Sequence, residues 1–500
     1  MIPAESKIDS TDQSFLPKQE RPVSYWVFLA LVLLSFGYIY FRNAWVGDDA
    51  YITFRTIDNF LGGYGLTWNV DERVQVFTHP LWMLLMVPLR WVTGEFYYTV
   101  LALSFVFALS AVVLAVNPFR NGIPKALALF LVLVSSKAFV DYSSSGLENP
   151  LSYLLLSFFY APLLTRRFLQ ESSARKVLFC SLMTAIGFLT RPDLVIFFGV
   201  PCVYVCYRAI QEHVRGWLGM LVLGLMPAFV WMLFAFVYYG FVFPNSYYAK
   251  VAVALPIHLL AYQGLSYLWV SVLFDPITPV VIVLGLLIPG IGSKSIEVRL
   301  AQFSVILYLC YVLYIGGDFM SGRFLAAPFL VCAIILTAEL NFKTSVPYLL
   351  CSAAIVVYNL VAPLAPFRGI SEEGWHYERY YGVCDERGHY ARASSPKAYR
   401  ERGSIRDQGA EDGKMFRQHP HSVWVAYGVG YMAFYAGPEV ILIDVYGITD
   451  PLLARLPVPD SILHDFRPGH IVKSVPKGYP ESRVSGGNVI EDVRIHQFYD

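Results

Sequence analysis

The sequence predicts a polytopic α-helical membrane protein, with about eleven transmembrane helices and a small C-terminal α/β domain. Three observations predict it. Hydrophobic residues make up 56% of the 500 and charged residues only 15%, against about 25% charged in a soluble domain. The apolar residues fall in long runs, and the mean hydropathy is +0.50. The loops between those runs alternate between basic and non-basic. Together these exclude a disordered chain, a fibre and an ordinary soluble enzyme. With 38 basic against 37 acidic residues the net charge is +1, so no global field attracts nucleic acid, and none is expected as a partner.

The elements follow in order. Residues 1–24 read as a mostly polar cytoplasmic tail, and 25–41 as a retained signal anchor, since no small-x-small cleavage site follows. Further apolar runs cover 98–116, 126–140, 151–164, 177–189, 195–207, 217–239, 279–291, 300–315, 324–340 and 346–364. Two weaker pieces, 79–92 and 259–274, are short or interrupted by polar residues, and are placed as helices lying in the membrane interface. With the N-terminus cytoplasmic, every cytoplasmic loop is basic: Arg120 and Lys125; Arg166, Arg167, Arg175 and Lys176; Arg208 and Arg215; Lys294 and Arg299; Lys343. The transmembrane domain is then 25–364, with a first outer loop at 42–97.

From about Ala365 the composition turns polar, and 365–500 reads as a soluble outer domain. Strands are expected at 423–426 and 440–444, short helical stretches between them and at 451–456, and loop across 372–414. Seven cysteines without regular spacing form no disulfide framework and no zinc site, and are read as small buried residues. The seven histidines of the C-terminal part are scattered, without a metal-ligand spacing.

Chemistry is sought in polar groups that an apolar chain need not keep. They recur on the outer side: Asp48, Asp49, Arg55 and His79 in the first loop, then Glu148, Arg191 with Asp193, Asn245 with Tyr248 and Lys250, and Asp318 with Arg323. Each alone reads first as a rim or capping residue, and it is their shared side that points to a site. Two adjacent carboxylates just past a span repel, so burial raises at least one pKa and suits it to act as a base or to hold a cation. The alternative is an acidic N-terminus for a helix over 50–61. Arg191, Lys250 and Arg323 are candidate phosphate ligands, although Arg191-Pro192-Asp193 reads equally as an internal salt bridge. Gly428-x-Gly430 lacks a third glycine, and dinucleotide binding is rejected.

Several motifs form an ordered set. They are Gly-Asp-Asp-Ala-Tyr-Ile-Thr-Phe-Arg (47–55), Gly-Tyr-Gly-Leu-Thr-Trp-Asn (63–69), Ser145-Gly146-Leu147-Glu148, Thr190-Arg191-Pro192-Asp193, Pro244-Asn245-Ser246-Tyr247-Tyr248-Ala249-Lys250, Gly316-Gly317-Asp318 with Arg323, and Arg467-Pro468-Gly469-His470. This set resembles the GT-C type membrane glycosyltransferases, and among them the mycobacterial terminal arabinofuranosyltransferases. The resemblance implies a GT-C fold with periplasmic juxtamembrane helices in a bacterial inner membrane. It implies a periplasmic active site, a polyprenyl-phosphate sugar donor, and a glycan or secreted protein such as a pilin as acceptor. Asp48 or Asp49 would be catalytic. The donor and substrate would be held by Arg55, His79, Glu148, Arg191, Asn245, Tyr248, Lys250, Asp318 and Arg323. No cofactor is required, and a divalent cation is compatible. Phe77-Thr78-His79 departs from the Thr-Asn of many relatives at this point, which bears on acceptor recognition. A lipid-linked sugar flippase or transporter is the alternative, although the acids lie at span ends and no internal repeat is visible.

Overall fold

The computed structural model describes residues 23–166, 169, 173–252, 255–292, 295–369, 379–458 and 469–499. The expectations for the tail up to residue 22, and for Arg167, Lys294, His376, His464, Arg467 and Pro468, lie outside them.

The protein is a polytopic helical bundle. Six described helices are long and apolar enough to cross a membrane: Val23–Asn43, Tyr97–Phe119, Pro192–Gln211, Trp217–Tyr239, Ile257–Phe274 and Ile296–Tyr314. At about 1.5 Å per residue, such helices match the hydrocarbon core of roughly 30 Å. Five shorter apolar helices accompany them: Pro80–Thr93, Ile123–Ser135, Ile277–Ile288, Ala326–Glu339 and Val346–Val361.

Apolarity serves two surfaces. The helix Trp217–Tyr239 buries only Gly224, Ala228, Ala235 and Tyr239, while Leu218, Val222, Phe229, Leu233 and Val237 face outward, as lipid-facing residues would. Its small residues seat it on the helix Ala174–Thr190, where a Cβ at Gly224 would lie 1.9 Å from Ser181 Oγ. By contrast, every residue from Ala326 to Ile335 is buried, so the helix Ala326–Glu339 is core.

The segment expected to lie in the interface at 259–274 belongs to the continuous 18-residue helix Ile257–Phe274, which is long and apolar enough to cross. Yet both its ends rest on the segments around 316–324: Leu260 lies beside Gly316, Tyr267 OH accepts from Phe324 N–H, and Asp275 accepts from the amide of Ala138, itself packed on Gly322. Gln263, Gly264, Ser266, Tyr267 and Ser271 all lie on its buried face, so the interruptions meet protein rather than lipid.

The loop expected across 372–414 also differs. It contains the helices Glu386–Ser394, Pro396–Arg402 and Gln408–Phe416. Asp385, Ser395 and Asp407 cap them, accepting from the amides of Gly388, Ala398 and Gly409. These helices are polar because one face is solvated. Strands Val423–Ala426 and Ile441–Asp444 pair in parallel, in register Val423↔Ile441 to Ala426↔Asp444, with the helix Val429–Ala436 between them. The helix expected at 451–456 is only a short turn, Leu453–Arg455. The C-terminal part packs on the first loop, where Tyr51 meets the rings of Tyr431 and Phe434 at 4.7 and 5.0 Å. Cys180, Cys202, Cys332 and Cys384 are buried, as expected, but Cys310 and Cys351 are exposed.

Candidate active site

The site is assembled where the first loop meets the loop after Asp141. Gly47 N–H donates to Ser145 O at 2.9 Å, and the indole N–H groups of Trp45 and Trp82 donate to the carbonyls of Asp141 and Gly146. Gly146 has φ +83, and a Cβ there would lie 2.8 Å from that of Ala50. Glycine therefore lets the start of the helix Asp48–Leu61 close onto the segment carrying Glu148.

Glu148 is the hub. It is wholly buried, with His79 Nδ1 at 3.1 Å, Arg323 Nη2 at 3.3 Å and Arg191 Nε at 3.6 Å. Burial pushes its carboxyl up, but Arg323, His79 and Arg191 outweigh burial and hold it well below the ordinary range. His79 Nε2 lies 2.9 Å from Thr53 Oγ1, which ties the ring to the first helix of the loop.

The arginines are only partly satisfied. Arg191 grips Asp193 through Nε and Nη2, and Tyr308 OH braces both partners, so the internal salt bridge is present. Arg191 also faces Glu148, and its Nη1 is buried without a hydrogen-bond partner, as is Arg323 Nε. Asp318 Oδ2 lies 3.8 Å from Arg323 Nη1, and its Oδ1 accepts from the Phe319 amide. Burial raises the Asp318 carboxyl, Arg323 and Lys250 pull it down, and Asp49 pushes it up. Those influences place Asp49, Asp318, Lys250 and Arg323 in one electrostatic neighbourhood.

The twin aspartates divide. Asp48 accepts from the amides of Gly430 at 3.0 Å and Tyr431 at 2.6 Å, at the N-terminus of the helix Val429–Ala436. Burial pushes its pKa up to about 7 against those two amides, with Asp49 adding to the rise. Asp49 is half-buried and, among the described residues, has no hydrogen bond or ion pair. The N-terminal reading is met in part, since both acids stand in the first turn, but Gly47 is the cap.

Three expected site residues are engaged by the protein itself. Arg55 donates to the carbonyls of Trp68, Ala433 and Val440. Asn245 donates to the carbonyls of Gly447, Ile448 and Asp450 and accepts from Arg455. Tyr248 lies under the Arg455 guanidinium at 4.4 Å. Lys250 ends the same short helix, Asn245–Lys250, and makes no hydrogen bond or ion pair among the described residues.

Sequence reasoning missed Gly430, Tyr431, Tyr308, Arg455 and Tyr446. Gly430 carried one signal, since a glycine after a strand permits close approach: a Cβ there would lie 1.9 Å from Asp48 O. Beside Lys250 and Phe319, His470 is held between the rings of Phe319 and Tyr446 at 4.2 and 4.7 Å. Among the described residues, no three His, Cys, Asp or Glu side chains converge to hold a metal ion.

No family model matches the chain. It is 26% identical over 426 residues to a terminal β-(1→2)-arabinofuranosyltransferase of Mycobacterium tuberculosis, covering 74% of this chain and 66% of that protein. It is 25% identical over 319 residues to the protein of the same description from Corynebacterium glutamicum, covering 57% of this chain and 46% of that one. The chain thus spans just under two thirds, and just under half, of the length of these relatives. Its fold matches the crystal structure of ArnT from Cupriavidus metallidurans bound to undecaprenyl phosphate, with a TM-score of 0.52, 14% identity, and coverage of 89% of this chain and 95% of that one. The fold is therefore that of ArnT in outline, and over the matched residues the sequence is similar to the terminal arabinofuranosyltransferases.

Proposed function

We propose that this protein is a membrane glycosyltransferase that moves a sugar, D-arabinofuranose, from a polyprenyl-phosphate donor to an envelope glycan or secreted protein. The site and the 365–500 domain would lie on the periplasmic side of a bacterial inner membrane, with the N-terminus cytoplasmic. The observation that carries the reading is the pairing of buried, unsatisfied guanidinium N–H groups on Arg191 and Arg323 with an unengaged carboxylate at Asp49. Buried donors without acceptors are costly, and phosphate oxygens satisfy them. The arabinofuranosyltransferase relatives and the lipid phosphate in the ArnT structure support the same donor class.

In this reading Asp49 accepts the proton of the acceptor hydroxyl. The hydroxyl oxygen bonds the anomeric carbon, the bond from that carbon to the phosphate oxygen breaks, and its electron pair leaves on the polyprenyl phosphate. Arg191, Arg323 and Lys250 stabilise that departing charge. Glu148 and His79 hold the arginines in place, while Arg55, Asn245 and Tyr248 fix the loops around them. Asp48 positions the first turn and is not the base. No step here is routed through a divalent cation.

The test is transfer of radiolabelled arabinose from synthetic polyprenyl-phosphoryl arabinose by purified protein in nanodiscs. Envelope glycans and secreted proteins of cells lacking the chain would be scanned for a lost pentose. Full transfer by Asp49→Asn would remove the base from the scheme, and transbilayer movement of the donor without transfer would favour a flippase.

A further inference from the structure

One stretch of the C-terminal part is charged unlike the rest. Between Arg387 and Arg406 stand Arg387, Arg392, Lys397, Arg400, Arg402 and Arg406 against a single acid, Glu401, in a chain whose net charge is only +1. Two helices and their connections gather part of this charge around a cavity of about 300 Å³, lined by His389, Arg392, Ala393, Arg402, Arg406 and Asp407. Arg402 Nη1 donates to Arg392 O at 3.1 Å, which fixes the helix Pro396–Arg402 against the helix Glu386–Ser394. His389, Arg392, Arg402 and Arg406 are all exposed. The one acid of the lining, Asp407, has an oxygen engaged in capping the helix Gln408–Phe416.

The cavity shares a helix with the candidate site. Asp407 is near enough to Asp48 to act on its carboxyl. The helix Glu386–Ser394 leans on the residues just before the twin aspartates. Ser394 Oγ accepts from Val46 N–H at 3.2 Å, and Tyr390 stacks on Trp45 with centroids 6.2 Å apart. The helix Glu386–Ser394 therefore bears on the segment before the twin aspartates with one face and lines the cationic cavity with the other. Guanidinium forks such as those of Arg402 and Arg406 match the carboxylate or phosphate group of a sugar residue. A concave cavity suits one such group on a flexible chain better than it suits a flat lipid surface.

We propose that this cavity is an acceptor subsite that binds an anionic group, a carboxylate or phosphate, on a residue of the acceptor chain. The proposal rests on the glycosyltransferase reading for the word acceptor, while the site itself rests on the cavity and its charge. Binding is therefore measured apart from transfer. Full-length protein in nanodiscs of zwitterionic lipid is titrated with trigalacturonate, maltotriose and polyprenyl phosphate, for the native chain and for a variant combining Arg392→Ala, Arg402→Ala and Arg406→Ala. The expected result is that trigalacturonate binds the native chain at least about tenfold more tightly than maltotriose, that binding weakens steeply with salt, and that the triple variant loses that margin. Polyprenyl phosphate should bind both proteins alike. Equal binding of trigalacturonate and maltotriose would overturn the subsite, as would an unaltered triple variant. So would competition by vesicles of anionic lipid that carry no glycan, which would mark the patch as a lipid contact. Loss of polyprenyl phosphate binding in the native chain would instead count against the donor reading and leave the subsite standing.

Discussion

Two charged clusters lie within this bundle, and they differ in how their charges are used. In the first, Lys137 pairs with Asp141 and, at 2.9 Å, with Asp385. Arg387 Nε lies 2.9 Å from Asp141, and Arg387 reaches Asn43. Two cations meet two anions, all buried, and each charge has an ion-pair partner; Arg387 Nε and Asp141 Oδ1, without an aligned hydrogen bond, still face each other as an ion pair. In the second, Arg191 is held tightly by Asp193, but Glu148 has its partners at 3.1 to 3.6 Å, and Asp318 lies 3.8 Å from Arg323. Arg191 Nη1 and Arg323 Nε have neither a hydrogen-bond acceptor nor an ion-pair partner among the described residues. Lys250 and Asp49 beside it have no ion-pair partner among the described residues. Closed pairs hold helices and loops together, whereas open ones are available to a substrate. The comparison teaches that burial of charge marks a site only when the pairing is incomplete.

The sharpest way to break this comparison is to neutralise one residue in each cluster. Asp49→Asn is expected to lower transfer by about 10²- to 10⁴-fold, the range for removing a general base, with no change in melting temperature. Initial rates and thermal unfolding in the same detergent check it. Lys137→Ala is expected to do the reverse. Removing one partner of a buried pair costs about 3–5 kcal/mol, because the other charges stay buried and uncompensated. Melting temperature and folded yield should fall, and the rate per folded molecule should hold. If Lys137→Ala spares stability and abolishes transfer, the closed cluster belongs to the site.

How much of this was legible beforehand depends on the range of the interaction. The strands Val423–Ala426 and Ile441–Asp444 follow from local apolar runs, and the meeting of Glu148, Arg191 and Arg323 on one side of the bundle from loop alternation. Engagement was not legible, because it depends on partners far away in the chain. Asn245 looks the same in sequence whether it meets a sugar or, as here, the carbonyls of Gly447, Ile448 and Asp450. Asp48 and Asp49 were indistinguishable for the same reason, since their difference lies 382 residues away at Gly430. The helices of 386–416 escaped because their hydrophilic composition resembles loop, while their capping residues Asp385, Ser395 and Asp407 were present and unread.

A smaller effect sharpens the contact between the first loop and the C-terminal part. At Gly430 any side chain meets backbone, with a Cβ 1.9 Å from Asp48 O and 2.5 Å from its carbonyl carbon. Backbone cannot swing aside as a flexible side chain can, so Gly430→Ala must separate the helix Val429–Ala436 from the helix Asp48–Leu61. Overpacking of this kind costs about 1–3 kcal/mol. Limited proteolysis should then cut nearer the 428–437 segment, and transfer should fall as the first turn loosens. An unchanged digestion pattern would mean that the two helices can shift without loss.

The smallest expected effect separates the two aspartates by pH. Asp48 has its carboxyl raised from 3.8 to about 7, chiefly by burial, so the folded protein holds a proton there that the unfolded chain releases. A raised folded pKa favours the native state at low pH. That contribution is complete below the unfolded value near 3.8 and is lost as pH rises through about 7. Stability of the native chain should therefore decline from pH 4 to pH 7 by an amount that Asp48→Asn removes, since an amide stays neutral throughout. The same substitution leaves one of the amides of Gly430 and Tyr431 without an acceptor, costing about 1 kcal/mol at every pH, as for a lost helix cap. Transfer by Asp48→Asn should stay within a few-fold of the native rate, unlike Asp49→Asn. Thermal unfolding of both proteins at pH 5 and pH 7.5 decides it: parallel slopes would mean that Asp48 does not titrate between those values, and a rate as low as that of Asp49→Asn would make the two carboxylates one catalytic unit.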